Sequence, residues 1–136
     1  GWEALNWSPI TIAEHLATRE HVGLFDLTSY TKLEVSGPGA TKFLQYVTAN
    51  EIDRHIGKVT YTSMLNNRGG IKCDLTVTRL KPDHFLVVTG GVFGNHDLAW
   101  LRSHCPNDGS VNISDTTSSN CCIGLWGPNA RKVMKR

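Results

Sequence analysis

Along the chain, apolar residues change spacing where one element gives way to the next. Ile12, Leu16 and, less regularly, Val22 fall at helical intervals with Glu14 and Glu20 among them, which predicts a helix capped at Thr11 and ending near Gly23. Residues 1–10, with Trp2 and Trp7, read as an irregular N-terminal arm, because Pro9 disfavours helix at Ser8. Lys32 to Ser36 alternates around Leu33 and Val35. Gly37-Pro38 then breaks that strand and opens a helix through Ala40, Phe43, Leu44 and Val47. The middle is strand-rich. Val59 to Leu65 and Ile71 to Leu80 flank the turn-forming Asn66-Asn67-Arg68-Gly69-Gly70, and Lys81-Pro82-Asp83 turns into His84 to Thr89, which predicts three consecutive antiparallel strands. A helix from about Asn95 to His104 and two strands, Val111 to Thr117 and Cys121 to Trp126, complete the pattern.

One stretch is used twice. Ser36-Gly37-Pro38-Gly39-Ala40-Thr41-Lys42-Phe43-Leu44 is echoed by Trp126-Gly127-Pro128-Asn129-Ala130-Arg131-Lys132-Val133-Met134, a strand, Gly-Pro, helix unit. With the echo, the order from Lys32 on is β-α-β-β-β-α-β-β-α, which predicts an α+β fold, helices layered on an antiparallel sheet. The second unit reaches Arg136 with little more than two turns of helix written, so the sequence is expected to be part of a longer domain.

With 40% hydrophobic and 19% charged residues the chain reads as globular, and no apolar run approaches the ~20 residues of a membrane helix. The formal +2 charge comes from the tail: Arg131, Lys132, Lys135 and Arg136 leave residues 1–130 with ten basic and twelve acidic side chains, net −2. That balance argues against a nucleic-acid surface. Cys73, Cys105, Cys121 and Cys122 form no C-x-x-C pair and are expected as reduced thiols. The histidines fall at no metal-ligand spacing: His15 and His21 are six apart, His96 and His104 eight. Phe85 to Thr89 running into Gly90-Gly91-Val92-Phe93-Gly94 and a helix has the context of a dinucleotide loop. It lacks the leading G-x-G and a suitably placed acid, so a tight turn needing positive φ is the preferred reading.

The most informative acid is Asp74. Alternation from Ile71 to Thr78 puts Ile71, Cys73, Leu75 and Val77 on one face and Lys72, Asp74, Thr76 and Thr78 on the other. Alone, such a carboxylate is a solvated strand residue. Tyr61, Tyr30 and the double-glycine turns supply a platform on which a flat heterocycle could stack while the carboxylate accepts its N–H groups.

The blocks "REHVGLFDLTSYTKLEVSGPGATKFLQYVTAN", "YTSMLNNRGGIKCDLTVTRL" and "FLVVTGGVFGNHDLAWLRSH" resemble the N-terminal part of the glycine-cleavage aminomethyltransferase (T-protein) family. They are most similar to the tetrahydrofolate-binding portion of dimethylglycine and sarcosine dehydrogenases or oxidases. The resemblance runs from about Glu14 to Met134. It implies a ferredoxin-like antiparallel sheet with helices on one face, the first lobe of a folate-binding domain, with residues 11–136 a partial copy truncated at its C-terminus. The family's folate-binding aspartate falls on Asp74, which thereby takes the catalytic and cofactor-binding role, and the aspartate often preceding it is Cys73. Val88 matches a position whose backbone meets the pterin. Gly90 replaces a polar residue, often asparagine, a departure from strict glycine-cleavage members. Tyr61 and Tyr30 match walls of the folate cavity.

The implied activity is one-carbon transfer to tetrahydrofolate from an iminium generated by oxidation of a methylated amine, with FAD on a separate upstream domain. The implied setting is cytoplasmic, or the mitochondrial matrix in a eukaryote, without nucleic-acid or membrane partners. A carboxylate suits the role because the pterin 2-amino and N3–H groups form a donor pair that one carboxylate accepts side by side. Two alternatives stay open. One is a non-catalytic folate-binding or regulatory module of iron–sulfur-assembly or phosphatase-regulatory type. The other is a stand-alone aminomethyltransferase of glycine cleavage.

Overall fold

The computed structural model describes residues 8–135. Trp2, Trp7 and most of the arm expected over residues 1–10 lie outside the described residues. The elements are α1 (Pro9–Glu20), β1 (Gly23–Asp26), β2 (Thr31–Ser36), α2 (Ala40–Val47), β3 (Val59–Leu65), β4 (Ile71–Lys81), β5 (His84–Thr89), α3 (Gly94–Ser103), β6 (Asn112–Asp115), β7 (Ile123–Trp126) and α4 (Ala130–Met134). They divide into two compact units, Thr28–Cys121 and a smaller one taken from residues up to Leu27 and from Cys122 onward. No helix among the described residues is long and apolar enough to cross a membrane.

In the smaller unit, helix α1 starts at Pro9, so Ser8 and not Thr11 is its cap. The Ser8 hydroxyl accepts the Ile10 N–H at 3.3 Å, and Pro9 occupies the first helical position, where a missing N–H costs nothing. Strand β1 has no counterpart in the sequence reading. It is four residues long with three of them exposed, too short for alternation to register, and it is recognisable only through its antiparallel partner β7, from Gly23↔Trp126 to Asp26↔Ile123.

The larger unit is a five-stranded sheet in the order β3-β4-β5-β2-β6, antiparallel throughout. Setting aside edge strand β3, the succession β2-α2-β4-β5-α3-β6 is the ferredoxin-like β-α-β-β-α-β arrangement. Ala40, Phe43, Leu44 and Val47 repeat at i, i+3, i+4 and i+7 on α2. With Leu98 and Leu101 of α3 they join Leu33, Val35, Met64, Leu75, Val77, Phe85 and Val87 of the strands in one core. Burial of each such large side chain contributes about 1.5–3 kcal/mol. The helices therefore cover one face of the sheet, and the residues between these core positions line the other.

The period-two reading of β4 fails at its start. The β3–β4 register passes from Met64↔Cys73 to Leu65↔Ile71, leaving Lys72 as the extra residue of a bulge. A bulge re-aims the side chains beyond it. Ile71, expected on the apolar face, pairs with Leu65 and is 72% exposed. Lys72, expected beside Asp74, carries its ammonium 5.0 Å from the ring centre of Trp100 on α3.

The sequence echo is a structural one. Gly37 and Gly127 both adopt φ +114°, and each accepts from the alanine three residues on, at 2.9 Å for Ala40 and 3.1 Å for Ala130. A Cβ at Gly37 would lie 2.4 Å from the Ser110 carbonyl oxygen, and one at Gly127 2.5 Å from that of Thr18, so both turns require glycine on two counts.

Candidate ligand-binding site

Tyr61, Asp74 and Val88 fall on the face of the five-stranded sheet opposite α2 and α3, and Tyr30 and Gly90 stand at the ends of its ladders. Tyr61 pairs with Thr76, Thr76 with Val88 and Val88 with Lys32, so four strands contribute one row across that face. The β2–β5 ladder ends at Thr31↔Thr89 and the β4–β5 ladder at Leu75↔Thr89. Tyr30, Gly90 and Asp74 are thus the next residues past the last pairs on three neighbouring strands, and Ser63↔Asp74 carries that second row onto β3.

Within this platform Asp74 is exposed and accepts a hydrogen bond at 2.7 Å on Oδ2 from the Tyr61 phenol. Tyr61 is itself 64% exposed. The bond to Asp74 first, then that carboxylate's charge and some desolvation, holds the phenol pKa above its ordinary 10.0. Each carboxylate oxygen has two lone pairs, so the bond to Tyr61 orients Asp74 while leaving acceptor capacity on both oxygens. Val88 is half-buried inside the ladder. What it turns to the open face is its side chain, and its carbonyl keeps a second lone pair beyond any ladder bond.

Gly90 has φ −61° and no atom within 4 Å of an added Cβ, whereas a Cβ on Gly91 would lie 1.9 Å from the Ser29 carbonyl oxygen. Of the two glycines only Gly91 is required by close backbone approach. The positive φ expected of this turn is absent. The helix that follows carries no side-chain cap, and among the described residues no group of three or more His, Cys, Asp or Glu could hold a metal ion.

Sequence reasoning missed Lys32. It is 4% exposed, and its ammonium donates to the carbonyl oxygens of Thr28 at 2.9 Å and Tyr30 at 2.8 Å. It therefore ties down the segment that brings Tyr30 to the platform. Nothing in the local pattern distinguishes it from a solvated strand lysine; the tether exists only because the chain before β2 turns back over it.

The GCVT N-terminal domain model matches residues 1–136. Among curated proteins, 4-methylaminobutanoate oxidase (formaldehyde-forming) of Paenarthrobacter nicotinovorans is 38% identical over 131 residues, which cover 96% of this chain and 16% of that protein. An aminomethyltransferase of Chlorobaculum parvum is 39% identical over 126 residues, covering 92% of this chain and 34% of that protein. The chain thus spans about a third of that aminomethyltransferase and about a sixth of the oxidase. Among solved structures, the glycine cleavage system aminomethyltransferase T from Bartonella henselae superposes with a TM-score of 0.85 at 32% identity, covering 93% of this chain and 35% of that one. The heterotetrameric sarcosine oxidase from Corynebacterium sp. U-96 shares the fold, with a TM-score of 0.63 at 20% identity over 96% of this chain and 65% of that one. A match over the full chain establishes that this chain belongs to the GCVT N-terminal domain family.

Proposed function

We propose that this chain is the tetrahydrofolate-binding, one-carbon-transfer portion of a flavin-linked demethylating oxidoreductase acting on a methylated amine of the dimethylglycine or sarcosine kind. The observation that carries the reading is the Asp74 carboxylate, held by Tyr61 on an open sheet face with Val88, Gly90 and Tyr30 around it. An exposed carboxylate with spare lone pairs, beside the Tyr61 ring and with Tyr30 at the edge of the same row, fits a pterin: its 2-amino and N3–H donors match the carboxylate, and its flat ring suits an aromatic neighbour. The similarity to an oxidase named as formaldehyde-forming supports the amine-oxidising context, since formaldehyde is what water releases from the iminium carbon of an oxidised N-methyl group.

Tetrahydrofolate, when bound, supplies the N5 and N10 nitrogens that take up the one-carbon unit. Asp74 would anchor the ring, and by fixing it convert capture of the iminium carbon into an oriented encounter that competes with hydrolysis. The same anion stabilises the approaching cation. Tyr61 would keep the carboxylate in its binding orientation. The flavin chemistry belongs to a separate domain with FAD.

The test is Asp74→Ala in the full-length protein, with formaldehyde and methylene-tetrahydrofolate both quantified while the amine is oxidised in the presence of folate. Folate affinity should fall roughly ten- to a hundredfold, the loss of a charge-assisted contact worth about 1.5–3 kcal/mol. Amine oxidation should persist while the product shifts toward formaldehyde. Unchanged affinity and product partition would show Asp74 to be only a solvated strand residue. A wild-type protein that carries no flavin but transfers an aminomethyl group would point to the stand-alone aminomethyltransferase instead.

A further inference from the structure

Among the described residues Asp97 is the one acidic side chain taken fully into the core, at 1% exposure. A buried carboxylate is costly unless something compensates it. Here it lies in the first turn of α3, where the helix dipole favours negative charge. It accepts the Thr89 hydroxyl on Oδ2 at 2.5 Å, and His96 Nδ1 is 3.2 Å from Oδ1. None of these groups lies on the platform; they sit on the helix-covered side of the sheet.

Their position in the register gives them a use. Thr89 separates Val88 from Gly90 and is the partner in both terminal pairs, Thr31↔Thr89 and Leu75↔Thr89, at which β2, β4 and β5 run out. Cys73, the residue before Asp74, lies on the same side of the sheet, where burial and the nearby Asp97 charge raise its thiol pKa. Thr89, which precedes Gly90 and pairs with Leu75 next to Asp74, is therefore tied to one buried carboxylate on the opposite face.

We propose that Asp97, through its hydrogen bond with the Thr89 hydroxyl, is a positioning residue that holds the ends of β4 and β5 so that Asp74 and Gly90 are presented together to a pterin. The proposal rests on the folate reading above. A carboxylate that served α3 packing alone would lower stability on removal without selectively changing the far face of the sheet.

The experiment measures tetrahydrofolate affinity by anaerobic calorimetry, and stability by denaturant unfolding, on full-length wild type, Thr89→Val, Thr89→Ser, Asp97→Leu and Leu101→Val. The last trims a core residue of α3 that makes no polar contact with Thr89. Thr89→Val should bind roughly tenfold more weakly, Thr89→Ser within about twofold of wild type, and Leu101→Val like wild type at a matched folded fraction. Combining Thr89→Val with Asp97→Leu should weaken binding no further than the worse single variant, because both remove one interaction. Wild-type affinity in Thr89→Val, equal losses in the valine and serine variants, or an equal loss in Leu101→Val would overturn the proposal. Should Thr89→Val not fold, Asp97→Leu decides: a loss greater than twofold supports the proposal and wild-type affinity overturns it. If wild type itself binds no tetrahydrofolate, or Asp74→Ala binds as wild type does, it is the folate reading that fails.

Discussion

The Tyr61 phenol reaches diagonally across the β3–β4 ladder to Asp74, two pairs removed from its own partner Thr76, and donates a 2.7 Å hydrogen bond to Oδ2. This bond joins two residues singled out for separate reasons, an acid and an aromatic, into one orienting pair. Tyr61→Phe keeps the ring and removes only the donor. Because the pair is exposed, solvent replaces part of what is lost. Folate affinity should fall about three- to tenfold, or about 0.7–1.4 kcal/mol, less than for Asp74→Ala. Calorimetric titration of the two variants side by side checks the ranking, and equal affinity in Tyr61→Phe and wild type would remove Tyr61 from the site.

The same pair predicts a pH response. With its folded pKa raised above 10.0 by Asp74, Tyr61 contributes stability that is full below pH 10.0 and is lost as pH rises through the higher folded value. Asp74→Ala removes the acceptor and the charge together, so the phenol should titrate closer to 10.0. Absorbance titration of the ionising phenol, with Tyr61→Phe as the blank, reads this directly. A Tyr61 titration that Asp74→Ala leaves unmoved would contradict the geometry.

Cys73 offers an internal gauge of the buried side. Its pKa is raised from 9.0 to about 11, first by burial and then by the charge of Asp97. Only about one thiol in a thousand is then thiolate near pH 8, and the thiolate is the reactive form. Peptide mapping after mild alkylation should find the exposed Cys121 modified well before Cys73. By linkage, the stability this thiol contributes is full below pH 9.0 and declines as pH rises toward about 11. Early labelling of Cys73 at neutral pH would show that the thiol is neither buried nor close to the Asp97 charge.

The adjacent glycines should behave oppositely. Gly90 has a backbone any residue adopts and open space around its Cβ direction, so Gly90→Asn should fold with stability within about ±0.5 kcal/mol of wild type. Gly91→Ala would force a methyl against the Ser29 carbonyl and should cost at least about 1–3 kcal/mol. Urea denaturation midpoints separate the two. Equal midpoints would mean that the close approach at Gly91 relaxes without cost.

How much of this was legible in the sequence follows from the range of the forces involved. Strands β3, β4 and β5 and helix α2 were readable because each carries its own periodicity, set by one buried face: Phe43, Leu44 and Val47 on the helix, Leu75 and Val77 on the strand. Asp74 could be placed off the apolar face because alternation holds from Cys73 to Thr78. It fails at Ile71 and Lys72, where the bulge depends on the hairpin's geometry and leaves no local sign. Strand β1 escaped because its identity lies in its distant partner β7. Lys32 and Asp97 read as ordinary strand and helix charges; Lys32 is held by the chain before β2 turning back over it, and Asp97 by Thr89 at the end of β5.

Lys32 gives the last prediction. Its ammonium is buried and bound to the carbonyls of Thr28 and Tyr30, so it fixes the chain just before β2 while Tyr30 stands at the edge of the platform. Lys32→Met preserves length and apolar stem but removes the charge. Removal also abolishes the cost of desolvating an ammonium, which offsets part of the loss. Two carbonyls nevertheless lose a charged donor, and the net destabilisation should be about 1–3 kcal/mol. Lys58→Met, at an exposed position, should stay within about ±0.5 kcal/mol. Hydrogen exchange should rise selectively at residues 28–31, and folate affinity should fall with it, since Tyr30 is no longer held in place. If Lys32→Met unfolds at the wild-type denaturant midpoint with unchanged exchange before β2, the ammonium is not what tethers this segment, and Tyr30 is placed by the strand alone.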